Sequence, residues 1–131
     1  MPTADGYRSV EVHIMNNTGR DLVIQAASAD QGSSWIAGEE ATNGFVIKPY
    51  DDKVIGVLAS ETDAAGSFQL AGPGSHPLSV ILWNKADGTS DVDVTPNEAV
   101  RGSKQILDND EQNHTVFQLQ LMPAAPGGSG A

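Results

Sequence analysis

The chain has 131 residues, no cysteine, and a formal net charge of −10 from 17 acidic and 7 basic side chains. That length suits one domain around a single core. The missing thiols exclude a disulfide scaffold, a thiolate metal site and a cysteine nucleophile; the negative field disfavours nucleic acid and anionic lipid as partners.

Residues 1–7 read as a flexible N-terminus with no basic segment leading into an apolar one, so no signal peptide is expected in this chain. Residues 8–15 alternate, with Val10, Val12 and Ile14 on one face and Glu11 and His13 on the other, which predicts a strand with one wet face. Asn16-Asn-Thr-Gly19 is a turn signal. The apolar pattern resumes from Leu22 to Ala26, so residues 9–26 read as a β-hairpin. Residues 28–43 are rich in Ser, Gly and Ala around Trp35-Ile36, and predict a long loop or an irregular edge strand.

Short strands follow at Phe45–Lys48, Val54–Ala59 and Ala65–Ala71, with Gly56 as a candidate bulge. Gly72-Pro-Gly-Ser-His-Pro77 is a strong turn. Leu78 to Trp83 is apolar at nearly every position, which predicts a central strand buried on both faces. Ser90 to Val94 alternates Asp with Val. Residues 102–107 are ambiguous. His114 to Met122 alternates again, with Phe117, Leu119 and Leu121 opposed to Gln118 and Gln120. The tail, 123–131, is Pro/Gly/Ala/Ser-rich and predicted flexible.

No helix, repeat or internal linker is apparent, and no window approaches the ~18 consecutive apolar residues of a spanning helix. The predicted fold is therefore all-β: a single-domain antiparallel β-sandwich of about eight or nine short strands over residues 8–122. Period-2 burial places Val10, Val12, Ile14, Leu22, Ile24, Phe68, Val80, Leu82, Phe117, Leu119 and Leu121 in its core.

Catalytic constellations are lacking. His13, His76 and His114 have no regularly spaced His or acidic partner. Asp108-Asn-Asp-Glu111 lacks the central Gly and terminal Glu of a calcium loop and reads as a solvated turn. Asp91 and Asp93 share one strand face, which a solvent-facing alternation explains. No Gly-x-Ser-x-Gly elbow and no phosphate-binding Gly loop occurs. No enzyme activity, metal or cofactor is expected. Trp35, in a Gly/Ser-rich segment, is either an exposed contact for a membrane or sugar or a ring folded back over an end of the sandwich. For Trp83, at the end of the most apolar strand, core packing is the favoured reading.

Three stretches carry a family resemblance. Val10-Glu-Val-His-Ile-Met-Asn-Asn-Thr-Gly-Arg-Asp-Leu22, followed by Gly32-Ser-Ser-Trp35, resembles the opening strands of aegerolysins, the bacterial insecticidal ones in particular. Ser60-Glu-Thr-Asp-Ala-Ala-Gly-Ser-Phe68 is similar to that family's Ser-Asp-Ala…Gly-Ser-Phe stretch. Leu82-Trp83-Asn84 and Lys85 to Thr89 fall where the family has an aromatic-Trp-Asp pair and a Pro-Trp-Gly loop.

The resemblance implies a β-sandwich that binds membrane lipid peripherally, commonly at sphingolipid-containing surfaces. It also implies a cytolysin or pore-forming toxin component acting with a larger second protein. Trp35, Trp83, Lys85 and Asp87 are the lipid-binding residues it points to. Asp87 stands in place of the loop Trp, and Ala65 in place of an acidic residue tied to sphingolipid selectivity in some members. A soluble protein is expected, cytoplasmic or released without a leader, acting at target membranes and able to form a homo-oligomer. The alternative is a protein- or glycan-binding sandwich module without membrane activity.

Overall fold

The computed structural model describes residues 8–60, 63–111 and 113–124, with 109–111 as backbone only. Among them there is no helix. The strands are β1 (Arg8–Asn16), β2 (Leu22–Ala29), β3 (Ser33–Trp35), β4 (Val46–Ile47), β5 (Asp52–Ala59), β6 (Ala64–Ala71), β7 (Leu78–Asn84), β8 (Ser90–Thr95), β9 (Val100–Glu111) and β10 (His114–Pro123). They form two five-stranded sheets, β3-β5-β1-β10-β9 (sheet A) and β4-β2-β6-β7-β8 (sheet B). Every recorded pairing is antiparallel except β1 with β10, which runs parallel from Ser9↔His114 to Asn16↔Leu121.

Alternation builds the core. Odd residues of β10 and even residues of β1, β6 and β7 turn inward, and all eleven residues expected there are at most 3% exposed. Each fully buried Leu, Ile or Phe contributes about 1.5–3 kcal/mol relative to exposure. Two buried asparagines tie the sheets at opposite ends. Asn16 Nδ2 donates to Arg20 O (2.7 Å) and Ile47 O (2.8 Å), while its Oδ1 accepts from Thr18 Oγ1 at 2.7 Å. Asn84 Nδ2, at the end of β7, donates to Ser9 O in β1 at 3.0 Å.

Asn16 also explains why residues 9–26 are not a hairpin. β1 pairs with β5 and β10, whereas β2 pairs with β4 and β6. The turn after β1 carries the chain from one sheet to the other, and the Asn16 side chain bonds the Arg20 carbonyl of that turn and the Ile47 carbonyl of β4. The other departures concern faces. β7 lies between β6 and β8, but only its inner face is dry: Ile81 is 48% exposed and Ser79 and Trp83 are half-buried. Trp83 therefore lies on the outer face of sheet B, not in the core.

Gly56 makes no bulge, because β1–β5 register runs unbroken from Arg8↔Ala59 to Met15↔Asp52. It is instead a close-approach position. A Cβ there would fall 2.5 Å from Glu39 Oε1 and 2.7 Å from Ile36 Cδ1. Burial, with Glu11 as the second cause, raises the pKa of Glu39 above its ordinary value. The ambiguous 102–107 segment belongs to β9, an edge strand with register shifts near Val116 and Phe117. Bulges of this kind blunt an open edge against further pairing.

Residues 1–7 and 125–131, expected to be flexible, lie outside the described residues, as do Glu61 and Thr62. Pro123 ends β10, and Ala124 N donates to Ala99 O at 2.9 Å. Among the described residues no helix is long and apolar enough to cross a membrane.

Candidate functional site

One end of the sandwich gathers the β2–β3 turn, the start of β6 and the β7–β8 hairpin. Backbone pairing sets the frame: Ala65 lies opposite Trp83, and Trp83 opposite Asp91. Because β6 presents only a methyl group at Ala65, the Trp83 ring has open space beside it. The result is a shallow groove of about 310 Å³ lined by Asp30, Gln31, Asp63, Ala65, Trp83 and Lys85.

The walls of the groove are tied together. Asp30 N donates to Ala65 O at 2.9 Å, and Ser33 N donates to Asp30 O at 2.8 Å. The Ser33 hydroxyl accepts from Ala65 N at 3.0 Å and donates to Asp63 O at 3.2 Å. Asp63 Oδ1 in turn accepts from Ala86 N at 2.8 Å, fastening the hairpin to the start of β6. Arg8 adds a bond to Ala86 O at 3.2 Å.

Within the hairpin, Lys85 N donates to Thr89 O and Gly88 N to Lys85 O. Asp87 Oδ1 accepts from Thr89 Oγ1 (2.7 Å) and Thr89 N (2.9 Å). These bonds, the side-chain one foremost, hold the Asp87 carboxyl below its ordinary pKa. Asp87 thus orders the hairpin tip in the manner of an Asx-turn.

The residues expected to bind lipid therefore divide. Trp83 and Lys85 share the groove, and Asp87 shapes the loop next to it. Trp35 does not line the groove. It pairs with Val57 at the edge of sheet A and packs, partly buried, against the core. A Cβ on Gly66 would lie 3.2 Å from Trp35 Cη2 and 2.9 Å from Val57 Cγ1, so the ring closes the open side of the sandwich over a glycine. Of the two readings of Trp35, the structure takes the ring folded back onto the sandwich.

Asp30, Gln31 and Asp63 were not singled out by sequence reasoning, since each lies outside the alternating strand segments. A signal for Trp83 did exist. Ser79 shares its face at a spacing of four residues, and a Ser on that parity marks a wet side that Ile81 disguised. Chemically, the groove offers one indole face, one ammonium, two carboxylates and an amide. This set orients a small polar group against an aromatic surface. Among the described residues no group of three or more His, Asp or Glu is placed to hold a metal ion.

No protein-family model matches the chain, and no curated protein matches it in sequence. Its backbone is similar to the crystal structure of IP-1A from Alcaligenes faecalis. The two share 14% identity, with a TM-score of 0.64 over 90% of this chain and 92% of that one. At that identity the likeness shows a shared fold.

Proposed function

We propose that this protein is a non-enzymatic, peripheral binder of membrane lipid that uses the Trp83 end of the sandwich. In this reading it is a cytolysin component that docks on neutral or zwitterionic surfaces, sphingolipid-containing ones included, and acts with a larger pore-forming protein. The observation that carries the reading is the groove itself. It sets a half-buried Trp and a Lys beside carboxylates at a loop-rich end, where rigid strands support variable loops.

Charge limits the target. At −10 the chain has no polybasic patch, and Lys85 is the one cation among the groove's lining residues. Affinity must come from the aromatic ring and from hydrogen bonds to a head group. Burying one Trp contributes on the order of a few kcal/mol. That is too little for stable attachment, so several copies or a second protein must share the task.

The test is co-sedimentation with vesicles of phosphatidylcholine, of phosphatidylcholine with sphingomyelin, and of phosphatidylcholine with phosphatidylserine. Binding to the first two, weakened by Trp83→Ala and by the serine lipid, is the expected result. No association with any vesicle, alone or with a pore-forming partner, would sink the reading and leave a protein-binding module in its place.

A further inference from the structure

The outer face of sheet B continues beyond the groove, with unbroken register across β6, β7 and β8 and one break on β2 between Gln25 and Ser28. Three rows cross it. The first runs Ala65–Trp83–Asp91, with Asp30 N bonded to Ala65 O at its end. The second is Ser28–Ser67–Ile81–Asp93. The third is Gln25–Gln69–Ser79–Thr95. Strands lie about 4.8 Å apart and same-face residues about 6.7 Å apart along a strand. The rows therefore make a platform roughly 13 Å by 14 Å.

Its relief follows from side-chain size. Trp83 and Ile81 stand side by side as a ridge on β7, with Ile81 48% exposed. Short residues flank them on β6, leaving a second trough of about 200 Å³ beside Ile81, lined in part by Ala26, Ser67, Gln69 and Ser79. Ala26 sits at the β2 irregularity between Gln25 and Ser28 with φ of +53°, so the strand bends where the trough opens. Bulges recur where a strand must re-aim next to a site.

The chemistry is equally selective. Around the ridge lie hydroxyls (Ser67, Ser79), paired amides (Gln25 Nε2 donating to Gln69 Oε1 at 2.9 Å) and the exposed Asp93, while the Asp91 carboxylate is engaged at the β8–β9 edge. Lys104 is salt-bridged to Asp91 at 2.9 Å and so adds no net positive field. A net-anionic group, such as a phosphate monoester, meets more repulsion than attraction here, with Asp30, Asp63 and Asp93 against Lys85. A neutral polyol has the opposite balance: its C–H face stacks on an indole, and its vicinal hydroxyls donate to carboxylates and exchange bonds with amides and hydroxyls.

We propose that this platform binds a neutral saccharide, with one sugar ring on Trp83 in the groove and a second over the Ser67–Ser79 trough. The proposal rests on the reading of the Trp83 end as the lipid-facing surface, and names the head group as a glycan. A glycolipid and a free oligosaccharide offer the same rings, so the experiment separates them.

The experiment has three arms. The first screens the full chain on an array of neutral and sialylated oligosaccharides. The second measures co-sedimentation with phosphatidylcholine vesicles that contain or lack glucosylceramide and lactosylceramide. The third tests whether an oligosaccharide that binds on the array displaces the protein from vesicles. Ser67→Tyr, which fills the trough from an outward position, and Trp83→Ala are measured alongside, with thermal melts as the folding control.

The expected result is binding of at least one neutral glycan, weakened about tenfold by Trp83→Ala and by Ser67→Tyr at unchanged melting temperature. Sialylated versions should bind less well. Absence of binding to every glycan overturns the inference, as does measurable vesicle binding that is equal with and without glycolipid. In the latter case the lipid reading of Trp83 survives. Glycan binding without any vesicle association upholds the inference and removes the membrane role instead.

Discussion

Trp35 and Trp83 approach β6 from opposite faces of the same sheet. Trp35 comes from β3, at the edge of sheet A, and lays its ring over Gly66, which faces inward. Trp83 comes from β7 and stands beside Ala65, which faces outward. One residue of pleat separates the two partners. The inward ring is packed against the core, and the outward ring lines a groove with Lys85. Side-chain type is the same in both places. What differs is the parity of the neighbouring strand, and this divides a tryptophan packed on the core from one that lines an outer groove.

The largest effect that tests this contrast is on stability. Trp35→Ala removes a ring that closes the space between the sheets and leaves Gly66 facing a void. A loss of about 2–4 kcal/mol is expected, below the top of the range because the ring is only partly buried. Trp83→Ala should stay within ~0.5 kcal/mol, as for other surface truncations. Urea titrations of both variants measure this; equal losses would erase the distinction. A second pair probes the floor rather than the rings. Gly66→Ala forces a Cβ 2.9 Å from Val57 Cγ1 and should cost about 1–2 kcal/mol through overpacking. Its neighbour Ala65→Ser should be nearly silent in the same titration.

Much of the strand layout was legible in the sequence, because burial on strands imposes a period of two. β1, β6 and β10 alternate cleanly, and their inward residues are the buried ones. β7 was harder. Ile81 and Trp83 are apolar on a wet face, so hydrophobicity alone assigns them to a core that only Leu78, Val80 and Leu82 enter. Pairing between strands was less accessible still. Nothing local distinguishes a turn that closes a hairpin from one that crosses between sheets; the difference is Asn16 reaching Ile47, 31 residues away. The groove was half legible. Trp83, Lys85 and Asp87 were marked by the resemblance, whereas Asp30 and Asp63 join them only through long-range bonds such as that from Ala86 N.

Smaller effects concern the binding end. Raising salt should leave vesicle association of the wild type nearly unchanged, or improve it where anionic lipid is present, since the screened interactions are net repulsive. A steep loss of association on adding salt would contradict an aromatic, hydrogen-bonded contact.

The smallest expected effect involves pH. Bonds from Thr89 hold the Asp87 carboxyl below its ordinary value of 3.8. A depressed folded-state pKa means that the support Asp87 gives the hairpin is fully present above the ordinary value. It is lost only as pH falls through the depressed one. The hairpin that carries Lys85 should therefore keep its order from neutral pH down to about 5, and loosen only below the usual carboxylate range. Amide hydrogen exchange at Thr89 reports this directly, because its N–H donates to Asp87 Oδ1 at 2.9 Å. In wild type, protection corrected for intrinsic rates should stay flat across that interval and drop in stronger acid. In Asp87→Ala it should be low at every pH, with vesicle or glycan affinity reduced a fewfold because the groove keeps Trp83 but loses its ordered rim. Trp35→Phe should leave the Thr89 protection curve untouched, since its ring packs on the inner side of β6. A shifted curve in that variant would show that the two faces of the strand are coupled after all.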